Sequence, residues 1–176
     1  MIDFSADYFS LFQLPRRYRI DADRLDREYR TLQGVIHPDR HAAGDDAGRR
    51  LALQASARVN EAYATLRDPA ARGEYLLALN GIESLAETDT VMPPEFLMEQ
   101  MERREAIAEA RAGADHPALE QALAQIARER EALQSELAGA LDDHAALDTA
   151  KTAVRKLRFL DRVKHEIDDA LIEVEA

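Results

Sequence analysis

The sequence has 176 residues, 46% of them hydrophobic, with no Cys and a formal net charge of −11. A chain of this length buries one ordinary core or two small ones. Without Cys it forms no disulfide and supplies no thiolate to a zinc ion, an iron-sulfur cluster or a nucleophilic site. The first residues do not resemble a signal peptide, and no stretch is apolar enough for a membrane span. We therefore expect a soluble protein of the bacterial cytoplasm.

The charge is distributed unevenly along the chain. Residues 1–80 contain 12 Arg and 12 Asp plus Glu, so the remaining 11 basic and 22 acidic residues carry the whole net charge. Two parts of such different charge predict two surfaces with different partners. The acidic second part argues against nucleic acid, whose phosphates need a basic surface. A simpler alternative is that the acidic residues only keep the protein soluble.

Composition and periodicity predict an all-α fold, beginning with four helices. A short helix precedes Pro15, and a second begins after the N-cap Asp21 and ends before Pro38. A loop over residues 37–48 follows, and Asp68-Pro69 begins the fourth helix, which ends at Asn80-Gly81. The apolar stripe of the third helix is predicted to be Leu51, Ala55, Val59, Tyr63 and Leu66.

Three longer helices are predicted in the second part. Pro93-Pro94 opens a helix that ends near Gly113, and a second one ends near Gly139. The last helix spans roughly residues 143–174, with apolar residues recurring at a spacing near 3.5. Three antiparallel helices can share one core. The predicted domains are residues 1–81, a linker over 82–92, and a three-helix bundle over 93–176.

The tripeptide His37-Pro38-Asp39 lies in the predicted loop between the second and third helices. Alone it fits a helix stop, since His is favourable at the helix end and Asp favours a turn. Its setting resembles a J domain, with YR at 29–30, NEAYATL at 60–66, RDP at 67–69, and then Arg72 and Tyr75. This resemblance implies that the tripeptide contacts a DnaK-type chaperone and couples its ATP hydrolysis to client capture.

Basic residues accompany the tripeptide. Arg24, Arg27 and Arg30 lie three apart on one side of the second helix, and Arg40 follows in the loop. J domains commonly present such a basic face to an acidic chaperone surface, so the resemblance implies that these four arginines also bind the chaperone. The alternative is a solvated helix face whose charges are partly balanced by neighbouring acids.

A second candidate surface begins at Phe96. Phe96, Leu97, Met98 and Met101 are spread too widely around one helix to form a narrow buried stripe, so some should reach solvent. Glu102 and Glu105 border this apolar ridge. Phe159 points about 100° away from the stripe of the last helix and would be a natural exposed anchor for a partner. The alternative is that both clusters complete an irregular three-helix core.

A narrower resemblance covers both parts of the chain. The segments 96–102 (FLMEQME), 154–161 (VRKLRFLD), 7–15 (DYFSLFQLP) and 71–77 (ARGEYLL) are similar to those of the HscB family of iron-sulfur co-chaperones. The resemblance implies a bundle that binds the scaffold protein IscU and a J domain that delivers it to the chaperone HscA. The implied scaffold-binding residues are Leu97, Met98, Met101, Glu102, Glu105 and Phe159.

The alternatives differ in partner and in chemistry. A general J protein would hand other clients to DnaK, and a plain helical scaffold would stimulate no chaperone. A metal-dependent hydrolase would need His37, Asp39 and His41 as ligands, but Pro38 prevents the two histidines from sharing one helical face. No phosphate-binding loop or nucleophile motif is present. We therefore expect a regulator of a partner ATPase that is not itself an enzyme and holds no cofactor or metal.

Overall fold

The computed structural model describes residues 6–36, 46–82 and 92–175, and all regular elements within them are helical. They are α1 (Tyr8–Leu11), α2 (Ala22–Ile36), α3 (Asp46–Arg67), α4 (Pro69–Leu79), α5 (Pro94–Ala112), α6 (His116–Ala138) and α7 (Leu147–Glu175). A π-helical turn, Gly139–Asp143, joins α6 to α7. The all-α prediction is confirmed. Within the described residues, no helix has the length and apolarity needed to cross a membrane.

The chain divides into two compact units, Met1–Leu76 and Leu77–Ala176. The division falls within α4. Most of the predicted linker over residues 82–92 lies outside the described residues, so the predicted domain limits stay a prediction.

Side-chain caps fix the helix starts of the first unit. Asp21 Oδ1 accepts a hydrogen bond from the backbone N–H of Arg24 at 2.9 Å, and Asp68 Oδ1 accepts one from that of Ala71 at 2.6 Å. Each bond satisfies an amide that has no partner within the helix. Gly81, with φ of +78°, follows α4 as predicted, in a conformation that glycine adopts without steric cost. Local chemistry therefore sets these boundaries.

The buried face of α3 differs from the predicted stripe. Leu51 is 44% exposed and Tyr63 is only partly buried, whereas Ala52 and Ala62 are buried beside Val59. A spacing of four residues drifts around a helix by about 40° each step, whereas alternating steps of three and four stay on one side. The α3 helix also begins at Asp46, inside the predicted loop.

Aromatic contacts join α1 to α4. The rings of Tyr8 and Tyr75 stack with centroids 4.3 Å apart, and the Tyr75 hydroxyl accepts a hydrogen bond from the backbone N–H of Tyr8 at 3.0 Å. Phe9 is fully buried beside them, with its centroid 6.0 Å from that of Tyr75. The guanidinium of Arg72 lies 4.7 Å from the centroid of Tyr18.

The second unit contains the three-helix bundle of α5, α6 and α7. Helix α7 begins at Leu147 rather than near residue 143, because the π-helical turn and Ala145, with φ of +49°, separate it from α6. The buried core consists of Phe96 and Ile107 from α5, Leu119 and Ile126 from α6, and Leu160, Val163, Ile167 and Ala170 from α7. This core holds α5 with one side toward solvent.

Candidate partner-binding surfaces

The apolar cluster at the start of α5 is divided between core and solvent. Phe96 is 8% exposed and belongs to the core, whereas Leu97, Met98 and Met101 are 44%, 63% and 71% exposed. Successive residues turn by about 100° around a helix, so when Phe96 faces inward its neighbours face outward. We call Leu97, Met98 and Met101 the α5 ridge. Large apolar side chains grouped on a surface are a feature of partner-binding sites.

Acidic residues lie along one side of the α5 ridge. Glu102 and Glu105, the predicted acidic border of the ridge, are exposed, and so are Glu99 and Glu109, which lie before and after them on α5. None of these four carboxylates makes an ion pair with any residue that the structure describes. The border is therefore a source of unneutralised negative charge beside an apolar surface.

Arginines occupy the opposite side of α5, facing α7. Arg104 Nη2 lies 3.2 Å from Glu166 Oε1, and Arg111 Nη2 lies 2.5 Å from Glu173 Oε2. Both ion pairs are about half exposed, so they link α5 to α7 at the surface and add little to the stability that the core supplies. The α5 ridge thus runs between free carboxylates on one side and paired charges on the other, which gives a bound partner a preferred orientation.

Phe159 is partly buried, which lies between the two alternatives of an exposed anchor and a residue of the bundle core. Its ring packs against the bundle core and meets the ring of Phe96 edge-on. The guanidinium groups of Arg104 and Arg162 lie 5.3 Å and 5.6 Å from its centroid. Periodicity placed this residue beside the buried stripe of α7, but it did not indicate that α5 side chains cover the ring.

Only some of the residues predicted to bind the chaperone are among those that the structure describes. His37, Pro38, Asp39 and Arg40 lie outside the described residues, as does His41. The remaining predicted residues are Arg24, Arg27 and Arg30, which are all exposed on α2.

The three arginines of α2 differ in their contacts. Arg24 Nη2 donates a hydrogen bond of 2.6 Å to the carbonyl oxygen of Gln13, a residue held at φ of +52°. Arg27 lies 4.0 Å from Asp21, at the limit of an ion pair, and Arg30 makes no ion pair within the described part of the chain. Arg24 therefore also stabilises the turn before α2. No sequence pattern indicated this contact, because the left-handed turn at Gln13 has no glycine to mark it.

Two motif tyrosines of the predicted J domain connect α2 to α3. The rings of Tyr29 and Tyr63 stack with centroids 3.9 Å apart. The Tyr29 hydroxyl donates to Asn60 Oδ1 at 3.0 Å, and the Tyr63 hydroxyl donates to Asp26 Oδ1 at 2.9 Å. These contacts fix the alignment of α2 and α3, between which the tripeptide lies in the sequence.

The described residues contain no group of three or more His, Cys, Asp or Glu side chains placed to hold a metal ion. One buried polar side chain is Gln100, which is 2% exposed on α5. Its Oε1 accepts a hydrogen bond of 2.7 Å from Arg103, whose other Nη lies 2.6 Å from Glu129 Oε1. This group of side chains joins α5 to α6.

Known proteins resemble the chain over nearly its whole length. A family model described as the HSCB C-terminal oligomerisation domain matches residues 92–168. A co-chaperone protein HscB homolog from Azoarcus sp. (strain BH72) is 46% identical, and the match covers 99% of this chain and 98% of that protein.

Solved structures agree in fold. The chaperone HscB from Vibrio cholerae is 35% identical, with a TM-score of 0.86 over 96% of this chain and 99% of that one. The human co-chaperone protein HscB is 31% identical, with a TM-score of 0.88 over 95% of this chain and 83% of that one. With these relatives and the helical fold described above, the chain belongs to the HscB family of co-chaperones.

Proposed function

We propose that this protein binds an IscU-type iron-sulfur cluster scaffold on the α5 ridge and delivers it to an HscA- or DnaK-type chaperone, whose ATPase it stimulates. The observation that carries the proposal is the exposure of Leu97, Met98 and Met101 on the bundle of an HscB-family chain. The protein would act as an adaptor in the bacterial cytoplasm and would catalyse no covalent change itself. Any cluster belongs to the scaffold.

The physical character of the α5 ridge supports a protein partner. The three side chains stand on a helix held by the bundle core, so little backbone freedom is lost when a partner binds. Desolvation of Leu97, Met98 and Met101 would supply affinity, and the free carboxylates of Glu102 and Glu105 would favour basic groups on the scaffold. Phe159, covered by Arg104, would contribute at the edge of this surface.

The first unit would supply the contact with the chaperone. In this proposal His37, Pro38 and Asp39 trigger ATP hydrolysis in the partner, and the arginines of α2 together with Arg40 bind an acidic surface on it. Attraction between opposite charges speeds association and weakens with ionic strength. One chain that holds both partners raises the concentration of the scaffold at the chaperone without any new contact between them.

The test is the steady-state ATPase rate of purified HscA, measured with IscU, with this protein, and with both. We expect strong stimulation that depends on both proteins and is lost with the His37→Gln variant. The ridge variant Met101→Ala should keep the stimulation seen without IscU and lose the part that depends on IscU. DnaK, assayed in the same way, is the comparison chaperone.

Each result decides between the alternatives. Stimulation of DnaK without any dependence on IscU would favour a general J protein. No stimulation of either chaperone would contradict the co-chaperone mechanism. If IscU raises the HscA ATPase rate equally with Met101→Ala and with the unaltered protein, the scaffold contact lies elsewhere on the protein.

A further inference from the structure

A groove of about 570 Å³ runs between α5 and α6, on the side of α5 that faces away from α7. Small side chains on the two helices open it, and Ile107 and Leu119 of the bundle core form its floor. The alanines that line it are Ala106, Ala110, Ala118 and Ala122. A small aliphatic side chain entering this groove would contact apolar surface on both walls.

The rim of the groove is negatively charged. Glu99, Glu102 and Glu129 line it together with a single basic residue, Arg103. Arg103 is already paired with Glu129, whereas Glu99 and Glu102 make no ion pair with a described residue. The groove therefore combines an apolar floor with excess negative charge, which favours a cationic segment over an acidic one.

The groove is continuous with the α5 ridge. Glu102 borders the ridge and also lines the groove, and Met98 of the ridge is the chain neighbour of Glu99 on the rim. A specific interface covers about 800 Å² on each partner, which is more than three ridge side chains supply. Toward α7 the surface also has a cavity, of about 630 Å³, but its charged lining residues form the ion pairs of Arg104 and Arg111. The groove toward α6 differs in having at its rim the carboxylates of Glu99 and Glu102, which are unpaired among the described residues.

We propose that the α5–α6 groove receives a segment of the scaffold bound on the α5 ridge, and that this segment carries a lysine or arginine beside a small aliphatic side chain. The inference rests on the proposed function, since it extends the same contact surface. The aliphatic side chain lies over Ile107, and the cation lies between Glu99 and Glu102.

Site-specific crosslinking tests which surface the scaffold covers. Because the chain has no Cys, Gln121→Cys introduces a single thiol at the rim of the groove, and Glu131→Cys introduces one at an exposed position of α6 that does not line the groove. Each thiol is labelled with a benzophenone before purified IscU is added. We expect a crosslink from position 121, mapped by mass spectrometry to an IscU peptide that contains Lys or Arg, and none from position 131.

Binding measurements test the occupant's chemistry. Glu99→Lys should weaken IscU binding about 3- to 10-fold at low salt, and the difference should shrink as salt is added. Ala106→Leu, which fills the groove from an exposed position on α5, should weaken binding about 10-fold. Ala127→Leu is the matched control, since Ala127 is exposed on α6 and does not line the groove.

The outcomes separate this inference from the function on which it rests. If Met101→Ala weakens IscU binding while Ala106→Leu binds like Ala127→Leu and position 121 gives no crosslink, the groove proposal is wrong and the ridge proposal stands. If the unaltered protein does not bind IscU, both are wrong. Circular dichroism of every variant verifies that α-helical content is retained.

Discussion

The ring of Phe159 packs edge-on against the ring of Phe96, with 5.6 Å between the centroids and 80° between the ring planes. This geometry is a favourable one for aromatic pairs. Phe96 precedes the α5 ridge directly in sequence, so its contact with Phe159 of α7 fixes how the ridge is presented. Phe159, for which the sequence left both a surface anchor and a core position open, thus supports the bundle.

Replacing Phe159 by alanine should lower stability as well as scaffold binding. The ring is partly buried, so we expect the free energy of unfolding to fall by about 2 kcal/mol, less than for a fully buried phenylalanine. Urea unfolding followed by circular dichroism at 222 nm measures it. Phe159→Leu, which keeps an apolar side chain, should lose less. Unchanged stability in the alanine variant would show that the contact with Phe96 contributes nothing.

Alanine at Leu97 or Met101 should separate binding from stability. Leu97 is 44% and Met101 71% exposed, so the free energy of unfolding should fall by no more than about 1 kcal/mol, less for Met101 than for Leu97. Scaffold affinity, measured by calorimetry, should fall about 10-fold or more, as for anchors at the centre of an interface. The matched control is Ile172→Ala, which removes an apolar side chain that is 66% exposed on α7. Equal affinity losses in all three variants would contradict a specific ridge.

The sequence predicted the features that depend on local chemistry. Asp21 and Asp68 cap helices through amides three residues away, and Gly81 adopts the left-handed conformation that ends α4. Such contacts involve only neighbouring residues, so their signal is present in a short window of sequence. The tripeptide and the family segments were identified by resemblance, which periodicity alone does not provide.

Contacts between distant residues were not predictable in the same way. Arg103 and Glu129 are 26 residues apart, and Arg104 covers the ring of Phe159 from another helix. Periodicity predicts that a helix has a buried side, but it does not specify which neighbouring helix covers each edge of that side. The structure was therefore needed to show that Phe96 is buried while Leu97 and Met98 are exposed. It was also needed to show that Phe159 is partly buried.

Removing the buried amide of Gln100 should stabilise the bundle. Its Oε1 accepts from Arg103, but its Nε2 is buried and has no hydrogen-bond partner among the described residues. Gln100→Met keeps the side-chain length and removes this cost, and Arg103 retains Glu129. The substitution also removes the acceptor of Arg103 Nη1, which offsets part of the gain, so we expect the free energy of unfolding to rise by less than about 1 kcal/mol. Gln121→Met, at an exposed position on α6, should have no effect, and a loss of stability in Gln100→Met would instead indicate that the amide is needed.

Arg24 and Arg30 should respond differently to replacement by glutamine. Arg24→Gln removes the hydrogen bond to the carbonyl of Gln13 and should lower the free energy of unfolding by about 1 kcal/mol. Arg30→Gln should leave stability unchanged and reduce only the stimulation of the chaperone ATPase, most strongly at low salt. Parallel urea unfolding and ATPase measurements distinguish the two effects. Full ATPase stimulation by Arg30→Gln at low salt would contradict its proposed role in docking.

Tyr8 should make the first unit sensitive to alkaline pH. Burial of the phenol, and then its hydrogen bond to Glu61, raise the pKa of Tyr8 above its ordinary value of 10.0. Above that pH the unfolded chain releases this proton more readily than the folded chain does, so the unfolded state binds fewer protons. The free energy of unfolding therefore falls as the pH rises from about 10 through the pKa of the folded state.

The variant Tyr8→Phe isolates this titration. It removes the phenol and its hydrogen bond, so it should be less stable than the unaltered protein at pH 8, with a shallower loss of stability above pH 10. Tyrosinate absorbance at 295 nm gives a second measurement, because the difference between the two proteins reports Tyr8 alone. A difference titration centred at the ordinary pKa of tyrosine would contradict the prediction, since it would mean that neither burial nor Glu61 perturbs the phenol.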